Sequence, residues 1–333
     1  MTAGTRRLHI ISNPIIAALD LGTNNCRLLI AREIPQRSFQ VIDAFSRIVR
    51  LGEGVSQTGR LTEQAMTRTI EALKICAEKV RKHHTGRMRA VATEACRQAS
   101  NSKDFLARIQ DETGLEFEVI TASEEASLAF RGTMPLIDGD ISYAIIFDIG
   151  GGSTELGWLQ RGKPLEPQVR AWHSMKAGVI NMAEKFGADS PNDQAWRDFY
   201  EEMVDFAANE LRVFARAIAA REKIRKNQVQ MIGTSGTVTT LTGIHLKLPK
   251  YDRSKVDGMY LDFKTLENIS FSLAQQKCVE RAKHPCVGQE RADLVLAGCA
   301  ILSAICREWP IGQLRVADRG VREGILMSLM ENP

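Results

Sequence analysis

The sequence predicts an α/β protein made of two similar halves, and three observations support that fold class. The chain has 333 residues, more than one hydrophobic core usually supports, so two domains are expected. Short apolar strand patterns alternate with helical patterns, which is typical of α/β layering. An Asp-x-Gly turn follows an apolar strand twice, at Asp20 and at Asp148, 128 positions apart. A repeat of this size indicates two halves that each present one hairpin.

The second hairpin carries the clearer chemical signal. The apolar run 143–147 predicts a buried strand, and 155–159 predicts its partner. Three glycines at 150–152 separate them, and glycine is expected there because a tight turn needs positive φ angles. Such a tip directs N–H groups toward one point, where an anion can bind. The carboxylates Asp148 and Glu155 beside that point favour a divalent cation held between protein and phosphate. An ordinary surface hairpin is the alternative.

The first hairpin has the same plan. The strand 15–19 leads into the turn 20–25, and a second strand follows at 26–31. Two facing hairpins of this kind can hold one phosphate chain from both sides of a cleft. Asp20 is a further candidate metal ligand, although an aspartate in a turn is also common for structural reasons.

The rest of the first half alternates strands and helices. The predicted strands are 39–49, 88–92 and 116–120. Thr62 is a predicted N-cap, and Thr121 with Glu124 forms a capping-box pattern. Gly114 and Gly132 are predicted to end helices.

The second half repeats this alternation with longer helices. Ser190-Pro191 predicts a helix start, and the helix continues to about Arg221 with an aromatic stripe that indicates core or a subunit interface rather than a ligand platform. Strands are predicted at 229–232 and 314–317, and helices at 291–308 and after 317. The segment 134–140, which contains Pro and Gly, is the predicted hinge between domains 1–137 and 138–333.

Composition narrows the class of protein. The fractions of hydrophobic (44%) and charged (25%) residues are ordinary for a globular protein. The longest apolar stretch, 294–306, is too short to span a bilayer, and Asn13-Pro14 interrupts any signal-peptide core. The seven cysteines include no CxxC pair, so neither a disulfide framework nor a zinc site is expected, and a reducing cytoplasm fits. The net charge of +4 suits a polyanionic substrate without deciding for one.

Taken together, the motifs resemble a known family. The two hairpins resemble the phosphate-1 and phosphate-2 loops of the sugar kinase/actin/heat-shock-70 superfamily. Within it, the chain resembles the exopolyphosphatase/guanosine pentaphosphate phosphohydrolase (Ppx/GppA) family from about residue 15 to residue 326. The further motifs that carry this likeness are Ala92-Thr93-Glu94-Ala95-Cys96-Arg97-Gln98-Ala99, Ser123-Glu124-Glu125-Ala126, Gly233-Thr234-Ser235-Gly236-Thr237, His284-Pro285, Arg291-Ala292-Asp293 and Asp318-Arg319-Gly320-Val321-Arg322-Glu323-Gly324.

The resemblance implies two actin-like (ribonuclease H-like) domains with a cleft between them, in the short form of the family without appended helical domains. Processivity on long polyphosphate chains is accordingly expected to be low. The implied activity is removal of the terminal phosphate from inorganic polyphosphate, guanosine pentaphosphate, or both. The implied cofactor is Mg²⁺, and a monovalent cation fits as well. We expect a cytoplasmic homodimer with no nucleic-acid and no membrane partner. Whether the last helix packs back onto the first domain is left open by the sequence.

The resemblance also assigns site residues. Glu125 would be the base that deprotonates the attacking water, although a glutamate there also suits a helix N-terminus. The implied phosphate-binding residues are Thr23, Asn24, Asn25, Arg97, Gly150, Gly151, Gly152, Ser153, Thr154, Ser235 and Gly236. The implied metal ligands are Asp20, Asp148 and Glu155. A surface ion pair is the alternative for Arg97, and a glycine turn capping a helix is the alternative for Ser235 and Gly236.

Two positions depart from the family pattern. Ser127 stands where Arg is common, which removes one expected phosphate contact, and Asn25 stands where Ser or Thr is usual. Two other functions stay open at this point: an ATP-dependent kinase or nucleotide hydrolase, and a non-catalytic actin-like assembly module.

Overall fold

The computed structural model describes residues 14–35, 38–161, 168–190 and 195–331, which form two mixed β-sheets covered by helices. The strands of the first sheet are β1 (Ile15–Leu21), β2 (Asn25–Ile34), β3 (Ser38–Ile48), β4 (Arg87–Ala92) and β5 (Glu118–Val119). Their order is β3-β2-β1-β4-β5. Strands β1, β2 and β3 pair antiparallel, whereas β4 and β5 continue the sheet in parallel with β1.

The second sheet repeats this plan and adds one strand. Its strands are β6 (Tyr143–Ile149), β7 (Thr154–Gln160), β8 (Gln168–Met175), β9 (Val229–Thr234), β10 (Tyr260–Asp262) and β11 (Gln313–Ala317). Their order is β10-β11-β9-β6-β7-β8. An antiparallel set (β6, β7, β8) again adjoins parallel strands (β9, β11), so the two halves predicted from the repeat are confirmed.

The helices follow the predicted alternation. In the first half they are α1 (Val55–Thr58), α2 (Glu63–Lys82), α3 (Glu94–Gln98), α4 (Ser102–Thr113) and α5 (Ala122–Thr133). In the second half they are α6 (Val179–Phe186), α7 (Trp196–Ile218), α8 (Arg221–Arg225), α9 (Gly236–His245), α10 (Arg253–Val256), α11 (Phe263–Ala274), α12 (Cys278–Arg281), α13 (Val295–Glu308) and α14 (Val321–Glu331). A short 3₁₀ turn, Met134–Leu136, follows α5.

Several helix ends agree with the sequence signals. The Thr62 side chain accepts from the Ala65 amide, and the Thr121 side chain accepts from the Glu124 amide, as predicted for N-caps. Gly114 ends α4 in the left-handed conformation at φ 73°. The aromatic stripe of α7 packs into the core, where Phe214 meets Trp309 edge to face.

Other predicted boundaries are wrong. Strand β5 has two residues instead of five, and α13 begins at Val295 because residues 291–294 form turns. Helix α7 begins at Trp196 and ends at Ile218, not near Arg221, and Pro191 lies outside the described residues. Helix α5 continues past Gly132, because this glycine serves close packing instead of a turn.

The last helix packs on the first sheet. Helix α14 lies against α5 and β1, and its Val321, Ile325 and Leu326 are buried in one cluster with Ile16 and Leu128. A Cβ atom at Gly324 would lie 2.0 Å from the Leu128 carbonyl oxygen, so the two helices approach backbone to backbone. The chain therefore crosses between the two sheets twice, after α5 and after β11. We use "first lobe" for the first sheet with its helices and α14, and "second lobe" for the rest.

Within the described residues, none of the helices is long and apolar enough to cross a membrane.

Candidate active site

A cavity of about 110 Å³ lies between the two lobes, and most of the predicted site residues line it. Those that line it are Asp20, Thr23, Asn24, Asn25, Glu125, Asp148, Gly150, Gly151, Gly152, Ser153, Ser235 and Gly236. Arg97, Thr154 and Glu155 are outside this lining. The structure therefore brings together residues from both hairpins, from the start of α5 and from the start of α9.

The two hairpin turns have the same internal hydrogen bond. The Gly22 amide donates to the Asn25 carbonyl at 2.9 Å, and the Gly150 amide donates to the Ser153 carbonyl at 2.9 Å. Both donors and both acceptors are 128 positions apart. The repeat seen in the sequence is thus a repeat of turn geometry, and each turn faces the same cavity from one lobe.

Helix α6 holds the second turn from behind. The amides of Val179 and Ile180 donate to the carbonyls of Gly150 and Gly151, at 3.0 and 2.8 Å. Because the N–H of a trans peptide points opposite to its C=O, the amides that follow these two carbonyls face away from α6. The turn lines the cavity, so these amides are available to an anion there.

The first turn is held in the same manner by the segment after β3. The amides of Val49 and Arg50 donate to the Asn24 carbonyl, at 2.8 and 3.0 Å, and the Gly52 amide donates to the Thr23 carbonyl at 2.9 Å. The buried Oδ1 atoms of Asn24 and Asn25 have no hydrogen-bond partner within the described residues. Buried acceptors of this kind are usually satisfied by water or a bound ligand.

The reason for the three glycines differs from the one the sequence suggested. None of the three residues at 150–152 has a positive φ angle, so that prediction is wrong. Close approach is the reason instead: a Cβ atom at Gly151 would lie 3.0 Å from the Thr23 Cβ, and one at Gly152 would lie 3.2 Å from the Glu94 Cγ. Side chains here would push the two turns apart.

Carboxyl groups cluster at the cavity, and burial keeps them protonated to unusually high pH. Burial raises the pKa of Glu125 to about 8, with the negative charge of Glu155 adding to the shift. Burial likewise raises the pKa of Asp148 to about 7, against the opposing effect of Arg27. Burial also raises the pKa of Asp20. Such a cluster favours a bound cation, because a cation relieves the repulsion among the charged forms.

Arg97 is held by carboxylates in this structure. Its Nη1 lies 2.7 Å from Glu125 Oε2, its Nε donates to Glu94 Oε2 at 2.9 Å, and Nη1 also donates to the Ile120 carbonyl at 3.0 Å. The ion pair opposes the rise in the pKa of Glu125, but burial outweighs it. Phosphate would have to compete for this guanidinium, so binding by Arg97 stays a prediction.

Thr154 and Glu155 lie behind the cavity wall. The Thr154 hydroxyl donates to the Ala177 carbonyl at 2.6 Å, which gives that side chain a structural partner. Glu155 accepts from the hydroxyls of Ser153 and Ser174, at 2.6 and 3.0 Å, and burial nevertheless raises its pKa.

Mg²⁺ fits this site only together with other ligands. Among the described residues, no three or more His, Cys, Asp or Glu side chains are placed to hold a metal by themselves. Mg²⁺ keeps several waters and is often bound by one or two carboxylates together with substrate phosphates. Asp20 and Asp148, with the unpartnered amide oxygens of Asn24 and Asn25 nearby in the lining, supply oxygen ligands of that kind.

The start of α9 forms another wall. Ser235 caps this helix, its side chain accepting from the Val238 amide at 3.1 Å, and Gly236 is the first helical residue. Helix N-termini attract anions because their first amides are free. The Ser235 side chain is used as a cap, so phosphate binding at this helix start stays a prediction for the backbone amides.

Several arginines were missed by the sequence analysis. A second, larger cavity of about 810 Å³ shares Asp20, Arg27, Asp148 and Arg291 with the first. The arginines around the second cavity are Arg27, Arg47, Arg253, Arg291, Arg319 and Arg322. Arg291, Arg319 and Arg322 stand in motifs quoted above for the family resemblance, though no site role was assigned to them, and Arg27 stands opposite Asp20 in the β1–β2 register. The others come from separate elements that only the fold brings together.

The fold and the cleft define an actin-like protein of two lobes. Residues 29–333 match the sequence model of the Ppx/GppA phosphatase family, and the chain belongs to that family. Exopolyphosphatase 2 of Mycobacterium tuberculosis (strain H37Rv) is 31% identical, over 94% of this chain and 98% of that protein. A crystal structure of the Aquifex aeolicus Ppx/GppA family member is similar with a TM-score of 0.75 and 30% identity, over 96% of this chain and 99% of that one. An exopolyphosphatase structure from Cytophaga hutchinsonii gives a TM-score of 0.83 at 25% identity, covering 96% and 98%.

Proposed function

We propose that this protein hydrolyses the terminal phosphate of inorganic polyphosphate, and that guanosine pentaphosphate is a second substrate. The observation that carries the proposal is the position of Glu125, a carboxylate that is only 15% exposed at a cavity where two phosphate-loop turns meet. Family membership and the named exopolyphosphatase relatives support the same reaction.

Glu125 is the proposed general base. A base works best when its pKa lies near the working pH, and burial raises the pKa of Glu125 to about 8. Water is the nucleophile and the terminal phosphorus is the electrophile, so the reaction needs no covalent enzyme intermediate. Glu125 takes one proton from the water as the new P–O bond forms, and the bridging oxygen leaves with the shortened chain.

The rest of the cavity binds and orients the chain. Amides of the two turns and of the α9 N-terminus donate to phosphate oxygens, and Thr23 adds a hydroxyl, whereas Ser153 contributes its backbone because its hydroxyl donates to Glu155. Mg²⁺, held by Asp20 and Asp148 with Glu155 behind them, would neutralise charge on the phosphate groups. We expect the arginines of the second cavity to bind further phosphates, because this cavity shares Arg27 and Arg291 with the lining of the first.

The test compares Glu125→Gln with wild type for phosphate release from polyphosphate and from guanosine pentaphosphate, with Mg²⁺ and with a chelator. We expect kcat to fall about 10²-fold or more in the variant, because glutamine cannot accept the proton. Chelation is expected to abolish release, and added Mg²⁺ to restore it. Near-wild-type turnover by the variant would remove Glu125 from the mechanism.

Two further assays on the same protein, ATP turnover and sedimentation with nucleotide, separate the alternatives. Turnover of ATP with no release from either polyphosphate or guanosine pentaphosphate would favour a kinase or nucleotide hydrolase, and filament formation on adding nucleotide would favour an assembly module. The homodimer, the cytoplasmic location, the monovalent cation and the low processivity on long chains remain predictions.

A further inference from the structure

The segment 49–56, which follows β3 and leads into α1, is bonded to the first turn. Its amides at Val49, Arg50 and Gly52 donate to the carbonyls of Asn24 and Thr23, at 2.8 to 3.0 Å. A Cβ atom at Gly52 would lie 2.1 Å from the Thr23 Cγ2. This segment therefore lies directly behind the first turn, and a shift in either one moves the other.

The same segment also bonds to the second lobe at two places. The Arg50 guanidinium donates to both carboxylate oxygens of Asp293, at 2.8 and 2.9 Å, and to the Glu290 carbonyl at 2.9 Å. The Gly54 amide donates to Glu184 at 3.2 Å, and the Ser56 hydroxyl donates to the other oxygen of the same carboxylate. None of these contacts is at either point where the chain crosses between the lobes.

Both acceptor carboxylates in the second lobe, Asp293 and Glu184, belong to segments that also contribute residues to the cavity lining. Glu184 is in α6, whose first amides hold the carbonyls of Gly150 and Gly151 in the second turn. Asp293 follows Arg291, which lines the cavity, by two residues. The segment 49–56 is thus linked to the backs of both turns, through hydrogen bonds on one side and through Glu184 and α6 on the other.

The backbone of Arg50 is also unusual. It has a φ of 47°, in the left-handed region that few residues other than glycine, asparagine and aspartate adopt. The hydrogen bond from the Arg50 amide to the Asn24 carbonyl holds the backbone end of this residue, and the bidentate pair with Asp293 holds the end of its side chain. A bidentate pair fixes orientation as well as distance.

We infer that the segment 49–56 is a clasp that sets the spacing between the two turns, with Arg50, Asp293 and Glu184 as positioning residues. A phosphate group can be bound by both turns only when the turns are the right distance apart. The clasp keeps the two turns at that distance before substrate binds. When the clasp is broken, only part of the population is competent to bind, so the apparent affinity falls while the chemical step is unchanged. The kinetic part of this inference rests on the proposed function, whereas the structural part does not.

The test uses Arg50→Gln, Asp293→Asn and their double variant in the full chain, together with Glu184→Ala, which removes the link from the clasp to α6. The matched control is Arg307→Gln, because Arg307 makes a bidentate pair with Glu201 that joins α13 to α7 inside the second lobe. Hydrogen–deuterium exchange is followed at the amides of 49–54, behind the first turn, and of 179–180, behind the second. KM and kcat for phosphate release are measured on the same samples.

We expect each single variant to raise exchange at both sets of amides and to raise KM about fivefold with kcat nearly unchanged, as the loss of one good partly exposed pair implies. The double variant should be no worse than either single one, since both remove the same contact. The control should change neither set of amides.

Faster exchange at 49–54 alone would overturn the clasp, because it would show a local contact that does not reach the second turn. Additive effects in the double variant, or equal effects in the control, would also overturn it. Absence of phosphate release in the wild type would count against the proposed function only, since the exchange experiment decides on the clasp without it.

Discussion

At the scale of single residues, the cavity carboxyls proposed to act in catalysis and metal binding also make the stability of the protein depend on pH. Burial raises the pKa of Glu125 to about 8 and of Asp148 to about 7, whereas their ordinary values are 4.5 and 3.8. The folded protein therefore binds more protons than the unfolded chain between about pH 4 and pH 8, and linkage makes the free energy of unfolding fall as pH rises through this window. Stability from these groups is fully present below about pH 4 and is lost above pH 8. The site stores charge repulsion that a bound cation would relieve.

This predicts a difference between wild type and Asp148→Asn. Asparagine cannot ionise, so the variant should lose less stability than wild type between pH 5 and pH 8.5, by about 1 kcal/mol or more. Urea unfolding at four pH values gives the free energy of unfolding of each protein. Subtracting the wild-type value from the variant value at each pH cancels the titration of the groups that both proteins share. A variant that loses stability with pH as steeply as wild type would contradict the assigned burial effect.

At the scale of elements, the contact between α5 and α14 positions the proposed base. Helix α5 begins with the turn that carries Glu125, and it packs on α14 through Gly132 and Gly324. Cβ atoms at these glycines would lie 2.2 and 2.0 Å from backbone oxygens of the facing segment, and backbone cannot move aside as a side chain tip can. The position of Glu125 thus depends on two glycines, Gly132 near the end of α5 and Gly324 in α14, where the helices have no room for a side chain.

Gly324→Ala tests this dependence. We expect a loss of about 1 to 3 kcal/mol in the free energy of unfolding, because the methyl group forces the helices apart, together with a lower kcat. The matched control is Gly139→Ala, since a Cβ atom there meets only the tip of Arg161 at 3.9 Å. Urea unfolding and phosphate release measure both effects. Equal stability of the two variants would show that the contact can relax.

Local signals in the sequence located the helices and strands, whereas long-range contacts determined which side chains reach the cavity and why glycines are needed there. The caps at Thr62 and Thr121 are read correctly because their partners lie three residues away. The glycines of the second turn were predicted for the wrong reason, because Gly151 and Gly152 are crowded by Thr23 of the first turn, 128 residues earlier, and not constrained by their own φ angles. The hydroxyl of Thr154 was expected in the cavity but bonds to the Ala177 carbonyl, on a neighbouring strand connection. No local pattern distinguishes these outcomes.

The arginines show the same limit. Arg253, Arg319 and Arg322 reach one cavity from two elements and a connecting turn. Arg253 alone reads as an ordinary surface charge, Arg319 and Arg322 stand in one family motif without an assigned role, and only the tertiary fold makes the three a cluster. Arg27 is the exception, because the β1–β2 hairpin register can be worked out from the turn and places it opposite Asp20.

At the scale of the whole molecule, the first lobe is completed by the last described helix. Val321, Ile325 and Leu326 of α14 cover Ile16 and Leu128, so the division into 1–137 and 138–333 leaves the first part without one side of its core. The 1–137 and 138–333 boundary remains a prediction. A boundary at 137/138 separates the strands of the two sheets, but it does not separate the two hydrophobic cores, because α14 belongs to the first core.

A fragment of residues 1–137 should therefore fold poorly by itself. We expect it to lack a cooperative urea transition, because the exposed face of β1 and α5 is apolar. Linking residues 318–331 to its end through a flexible linker should restore the transition. A cooperative transition in the unlinked fragment would show that α14 is not required for the first core, and measurement by circular dichroism distinguishes the two results.

The place of α14 also affects how the protein is made. Domains near the N-terminus usually fold first while the ribosome is still adding residues. Here the first lobe waits for residues 321–331 to leave the ribosome, and until then its apolar face is open to other chains in the cell. The second lobe, whose sheet is complete at Ala317, is free to fold earlier although it is synthesised later. The first lobe is thus the first to be synthesised and the last to have all of its core residues available.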